Sequence, residues 1–372
     1  MTPSSPPASD QPSADGATAR DGVTAEGESY SSSPQHLRYV DIKPPQSGTC
    51  VTVASGLLWG RIPLPIDLDH INVWLLETDD GHVAVDTGMA VEMGKDAWRE
   101  IAADVFSRKP LQAVFVTHIH PDHIGLAGWL QQEYRVPVWM SARTFEMAEE
   151  LLAGKTLSNA QEAEAFFRAH GVEDVTSLKP MFSSQRFARM ASGLPSVERF
   201  IADAEIVDLG RRRWTALETN GHAEGHLCLA SEDEPLLISG DQVLPTISSN
   251  ISFTWRNVDR NPLNSFLTSL QRLRALPADT LVLPSHGMPF RGLQQRIDDL
   301  TQHHEEQLDK LVAACGEPQT AASLLPRLFR RKLIGMHLFL GLAEALAHLE
   351  YLVDAQRLQR QRSQDGTVRY CR

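Results

Sequence analysis

The chain has 372 residues, with 35 Lys and Arg against 47 Asp and Glu and a formal net charge of −12. That balance argues against a general nucleic-acid-binding surface and leaves room only for a local basic patch; the length suits one large domain plus something smaller, with ample core. No apolar run approaches the ~18 residues of a membrane span and no basic stretch followed by an apolar one marks a secretory signal, while the scattered Cys50, Cys228, Cys315 and Cys371 suit a reducing cytoplasm and make a cysteine metal site unexpected.

Residues 1–36 are rich in Ser, Pro, Ala, Gly and Asp and nearly devoid of large apolar side chains. Such a segment cannot bury enough surface to offset its ordering entropy, so it reads as a disordered tail. Order is expected from about residue 37. Residues 51–62 and 70–78 read as strands, Asp79-Asp80-Gly81 as a hairpin turn, and His82–Val85 as the next strand. A helix fits 91–106, with Ala102, Val105 and Phe106 on its buried face. Leu111–Thr117 is a buried strand, Ile124, Leu126, Ala127 and Leu130 repeat at a helical period, and Pro137–Met140 is strand again. Residues 142–200 break this alternation with polar helical segments at 145–152, 160–170 and 181–190; the segment is either a substrate-binding insert or an extra helical layer. Strands resume at 205–209, 214–219, 227–231, 236–239 and 280–283, with helices at 264–275 and 293–315. From 316 to 372 the chain reads as a small helical module, helical to about Gln361. Strands and helices on either side of a central insert predict an α/β fold of two halves packed sheet on sheet.

The stretch Thr117-His118-Ile119-His120-Pro121-Asp122-His123 follows the apolar run Leu111–Val116. Imidazoles and a carboxylate suit borderline divalent metals. So dense a cluster is hard to explain by packing, because each member, if buried, needs its own partner. Asp86, His222, Asp241 and His286 share one context, the carboxyl end of a predicted strand, where ligands of open α/β sheets gather. Gly88, Gly221, Gly240 and Gly287 lie beside them, as close turns require.

These residues make the chain resemble the metallo-β-lactamase superfamily. Its five motifs appear in order over about residues 50–292: Asp86-Thr87-Gly88; His118-x-His120-x-Asp122-His123; Gly221-His222-Ala223-Glu224-Gly225-His226; Gly240-Asp241; and Ser285-His286-Gly287. The resemblance implies a four-layer αβ/βα sandwich with two divalent metal ions, zinc before iron or manganese, in the cleft between the sheets. His118, His120 and His222 would hold one ion, and Asp122, His123 and His286 the other, with Asp241 between them. Asp86 would orient a ligating histidine, and His226 would be structural or act behind the ligands. A metal pair roughly 3.5–4 Å apart lowers the pKa of a shared water towards ~7 and polarises the substrate oxygen. Asp122 or Asp241 could then relay a proton to the leaving group.

With both Asp122 and Asp241 present, the pattern is closer to glyoxalase II-like thioesterases, lactonases and the nucleic-acid branch than to true β-lactamases. The expected function is metal-dependent hydrolysis of a small-molecule ester, thioester or lactone in the cytoplasm. The alternative is a phosphodiesterase or nuclease. It rests on the C-terminal module, which carries arginine or lysine at 327, 330–332, 357, 360, 362, 369 and 372 against acids at 344, 350, 354 and 365. That module resembles the winged-helix-like tail of a superfamily branch that includes an endoribonuclease. Its other reading is a packing or homodimerisation module.

Overall fold

The computed structural model describes residues 36–152, 160–182 and 184–372. The disordered tail expected at 1–36 lies, apart from its last residue, outside the described residues, as does part of the insert.

After the short β1 (Arg38–Tyr39), the first half runs β2 (Cys50–Ala54), β3 (Leu57–Pro63), β4 (His70–Glu77), β5 (His82–Val85), β6 (Leu111–Phe115), β7 (Val138–Met140) and β8 (Val197–Phe200). These form one sheet in that order, antiparallel from β2 to β5 and parallel from β5 to β8. The second half runs β9 (Ile206–Leu209), β10 (Arg212–Thr219), β11 (His226–Ser231), β12 (Leu236–Gly240), β13 (Leu281–Pro284) and β14 (Phe290–Arg291). With β1 it makes a second sheet in the order β1-β14-β13-β12-β11-β10-β9.

Period-two alternation explains why both sheets are covered on both faces. On β4, Trp74 and Leu76 enter a core shared with Trp214, Leu227 and Ile238 of the second sheet, which is the sheet-on-sheet interface. Val73 and Leu75 face the other way, onto Trp98 and Ile101 of α1 (Glu92–Ile101) and Leu130 of α3 (Ala127–Tyr134). On β11, Leu227 and Leu229 point inward, while Cys228 and Ala230 meet the outer helices. Those helices are α7 (Pro262–Leu273), α8 (Leu293–Ala314), α9 (Ala321–Leu328) and α10 (Gly335–Asp354). The result is a four-layer αβ/βα sandwich. α10 has the length and apolarity of a membrane span, yet 56% of that window is buried in the core, and Glu344 and His348 in its middle are themselves buried.

Several expectations are corrected. The strand at 51–62 is a hairpin, broken where Gly56 takes φ +66°. The helix at 91–106 gives way to a π turn over Ala102–Phe106. From within the His cluster onward there are two short helices, α2 (Pro121–Ile124), which carries Asp122 and His123, and α3, not one. The insert contains α4 (Ala142–Leu152), α5 (Ala160–Ala169), a 3₁₀ segment (Thr176–Phe182) and α6 (Ser184–Met190), but it ends in β8, which completes the first sheet. The C-terminal module is not helical to Gln361: β15 (Gln359–Arg362) and β16 (Val368–Cys371) form a hairpin after α10. The insert packs against the later helices, with Phe167 of α5 meeting Phe339 of α10 and Trp255.

Candidate metal centre

The site is built at the carboxyl ends of strands from both sheets. Asp86 follows β5, Thr117 and His118 follow β6, His222 follows β10, Asp241 follows β12 and His286 follows β13. Hydrogen bonds between the sheets lock these ends together: Leu227 N–H donates to Thr117 O (3.0 Å) and Asn72 N–H to Ser285 O (2.7 Å). The Asn72 side chain, fully buried, donates to the carbonyls of Pro284 and Gly287 (both 2.9 Å) and accepts from Trp59 Nε1 (2.8 Å). A buried amide satisfied on every side holds the His286 turn against β4.

The seven ligand-type residues fall into two adjoining groups. One ligand atom each of His118, His120, His222 and Asp241 lie within 4.8 Å of one another, and the same holds for Asp122, His123 and His286. Asp241 reaches both groups. Its Oδ2 is 3.5 Å from Nε2 of His222 and of His123, and its Oδ1 is 3.6 Å from Nε2 of His286. Asp122 Oδ2 lies 3.4 Å from His286 Nε2 and 3.7 Å from His123 Nε2.

What stands behind each ring decides which nitrogen faces inward. A backbone carbonyl can only accept, so His222 Nδ1 donates to Asn250 O (2.9 Å) and His286 Nδ1 donates to His70 O (2.9 Å). His123 Nδ1 is 2.8 Å from Asp86 Oδ2. Each of these rings, in its neutral form, therefore turns an Nε2 lone pair toward the centre. Nε2 of His123, Nε2 of His286 and Oδ1 of Asp241 are buried with no hydrogen-bond partner. Buried polar atoms are nearly always satisfied, and orphaned lone pairs converging from two sides fit divalent cations. The donor set of imidazoles and carboxylates suits the same class of ion.

Electrostatics agree. Burial pushes His123 down, but Asp241, Asp86 and Asp122 outweigh it and hold the imidazole well above its ordinary range. Burial likewise opposes His286, which Asp241 and Asp122 raise. Burial lowers His118 far below its usual value and His120 to about 3, with neighbouring imidazoles adding to both shifts. For Asp241, burial works upward but is outweighed by His123 and His286, leaving the carboxylate ionised. The wall thus presents anionic oxygens and, at His118 and His120, neutral rings, while the carboxylates offset the charge on His123 and His286 that a cation would replace.

Asp86, expected to orient a ligating histidine, lies behind the His123 ring. It takes φ +63°, and its Oδ1 accepts from Thr117 N–H (2.8 Å) and Thr117 Oγ1–H (3.0 Å) while Oδ2 faces His123. It is thereby placed to hold the His123 ring and the Thr117 backbone beside His118. Asp86→Ala is expected to weaken metal binding ~10–100-fold, measured by competition with a chromophoric chelator; affinity within twofold of wild type would refute the assignment. His226 joins neither group: its Nε2 accepts from Asp241 N–H (3.1 Å), and its Nδ1 lies 2.8 Å from Thr219 Oγ1. Sequence reasoning missed Asn72, Asn250 and the His70 carbonyl. The last acts through its backbone, which no side-chain pattern reveals, and the two asparagines lie outside any motif.

The model of the metallo-beta-lactamase superfamily matches residues 66–286, and that of the metallo-beta-lactamase-like C-terminal domain matches 308–372. The chain is 27% identical over 306 residues to the probable metallo-hydrolase YqjP of Bacillus subtilis, covering 78% of this chain and 90% of that one. It is 28% identical over 209 residues to human acyl-coenzyme A thioesterase MBLAC2, covering 52% of this chain and 65% of that protein. Among solved structures, a beta-lactamase domain protein from Burkholderia ambifaria superposes with a TM-score of 0.79 at 36% identity, over 91% of this chain and all of that one. A metallo-beta-lactamase family protein from Thermus thermophilus gives 0.74 at 28% identity, over 86% of this chain and all of that one. With two sheets delivering histidines and aspartates to one cleft and a family match spanning that cleft, this chain belongs to the metallo-beta-lactamase superfamily.

Proposed function

We propose that the protein hydrolyses a small-molecule acyl thioester, or a related ester or lactone, at two divalent ions, zinc in the first instance. The observation that carries the reading is the convergence of His123 Nε2, His286 Nε2 and Asp241 Oδ1, buried and unsatisfied, between two ligand groups. Thioesters lead because of the likeness to an acyl-coenzyme A thioesterase. When bound, such a pair of ions supplies an activated water and polarises the scissile carbonyl. The chain's own residues do the rest. Asp86, Asn250 and the His70 carbonyl hold the rings in register, so that little reorganisation accompanies the reaction. Asp122 and Asp241 present the carboxylate oxygens that accept a proton from the attacking water and return it to the leaving thiol or alcohol.

The nuclease alternative finds less support. Arg357 is committed to Glu305 and Asp309, Arg360 to Glu350, and Arg372 to the carbonyls at the end of α8. Three of the module's basic side chains are thereby held in internal pairing, while Arg327, Arg330, Arg331 and Lys332 lie exposed.

The test is a metal-reconstituted screen of acyl thioesters, lactones and bis(p-nitrophenyl) phosphate, with His120→Ala as control. Thioester or lactone turnover should vanish on chelation and return with Zn²⁺. Turnover confined to the phosphodiester would favour the alternative, and turnover indifferent to chelation would sink the metal reading.

A further inference from the structure

The segment between β12 and α7 starts at the ligand Asp241 and passes under His222, yet it is held by the C-terminal helices. Arg296 of α8, 1% exposed, donates through Nε to Leu244 O (2.7 Å) and through Nη2 to Ile247 O (2.8 Å). Ser249 Oγ donates to the Asp241 carbonyl. Phe253 N–H donates to Ala343 O of α10 (2.9 Å). In the next position of that helix, Glu344 accepts from Asn250 Nδ2 (3.1 Å), and Ser252 Oγ donates to Asn250 Oδ1 (2.5 Å). Asn250 is the residue whose carbonyl accepts from His222 Nδ1.

We infer that Glu344 is a positioning residue for the metal centre, acting through Asn250 on His222, so that the C-terminal helix α10 sets metal affinity. Glu344 is 4% exposed. A buried carboxylate is costly unless its hydrogen bonds offset the lost hydration, and an apolar side chain would pack the core face of α10 more simply. Its position is explained by what it holds. Asn250 is gripped at both ends of its amide, which fixes the adjoining peptide and aims its carbonyl at the His222 ring. The ring's donor is thereby pinned, its Nε2 is presented inward, and its rotation is restricted. Partners behind a ligating histidine act on affinity in this way. The same helix adds a second brace, because His348, one turn on, lies 3.1 Å from His304 Nδ1 of α8. The role of the C-terminal module is then to complete the metal centre from behind.

The inference rests on His222 being a metal ligand, and the experiment separates the two claims. Full-length protein is titrated with Zn²⁺ against a chromophoric chelator and with Co²⁺ by visible spectroscopy, and the thermal midpoint of the metal-free form is recorded. Glu344→Ala should weaken one equivalent of metal ~10-fold and alter the Co²⁺ spectrum. Glu344→Gln keeps an acceptor for Asn250 Nδ2 and should restore both. If Glu344→Ala does not fold, Asn250→Ala, which keeps the carbonyl but frees it from Glu344 and Ser252, should show the same weakening. A side chain that only packs would lower the metal-free midpoint and leave affinity and spectrum unchanged, and that result overturns the inference. Wild-type protein that binds metal with affinity unaffected by His222→Ala overturns the ligand assignment beneath it, and the inference with it.

Discussion

Asp241→Ala is expected to lower kcat/KM for the proposed thioester substrate by about a thousandfold, ~4 kcal/mol of transition-state stabilisation, and to reduce the bound metal per chain. The size follows from position. Its two oxygens lie within 3.6 Å of ring nitrogens from both ligand groups, Oδ2 serving His222 and His123, and Oδ1 serving His286. Losing it leaves those buried rings facing one another without the anion between them, and a cation would then be held by imidazoles on one side and by Asp122 with imidazoles on the other. Asp122→Ala removes one oxygen wall from a single group and should spare a metal held by His118, His120 and His222. The comparison is read by metal analysis of the purified variants beside their kinetics. Retention of more than a tenth of wild-type activity by Asp241→Ala would refute the assignment of Asp241 to both groups.

Much of this site is legible in the sequence because its chemistry is carried by side chains at strand ends. An apolar run must stop where the strand leaves the core, and a histidine or aspartate at that stop is visible without coordinates. The clustering of His118 to His123 makes the signal dense, and Gly221 and Gly240 mark the turns that follow. The architecture is legible for a related reason. Strands buried on both faces, such as β4 and β11, appear as short apolar runs, and their interleaving with helices implies layers.

What escaped detection is carried by the backbone, lies on exposed surface, or depends on buried side chains such as Asn72 and Glu344 that only tertiary packing brings to the site. The turn at Ser55-Gly56 is hidden inside the apolar stretch that runs from Val51 to Ile62, so two strands read as one. β15, with all its side chains exposed, has no buried face to impose alternation, and its charged residues look like the frayed end of α10. The acceptors for His222 and His286 are carbonyls of Asn250 and His70, placed by tertiary contacts. Glu344 lies far along the chain from the ring it steadies, and only the packing of α10 against the segment after Asp241 brings them together.

Gly221→Ala tests whether tight packing against α7 reaches the ligands. Gly221 takes φ +104°, and a Cβ there would lie 2.4 Å from Phe266 Cβ, 2.5 Å from Pro262 O and 2.6 Å from Phe266 N. Pro262 and Phe266 belong to the start of α7, so two of the obstacles are helix backbone that cannot swing aside. The φ strain costs of order 1–2 kcal/mol and the overpacking of order 1–3 kcal/mol, so a loss near ~3 kcal/mol is expected in urea denaturation. The next residue is His222, and whichever of the turn or the helix yields, the ring shifts against the Asn250 carbonyl. The variant should therefore also bind metal more weakly than its stability loss alone explains. Gly316→Ala is the matched control, because a Cβ there meets nothing within 4 Å and should change stability by no more than about 0.5 kcal/mol. Equal midpoints for the two variants would show that α7 moves freely and that the turn before His222 is not held as tightly as its contacts require.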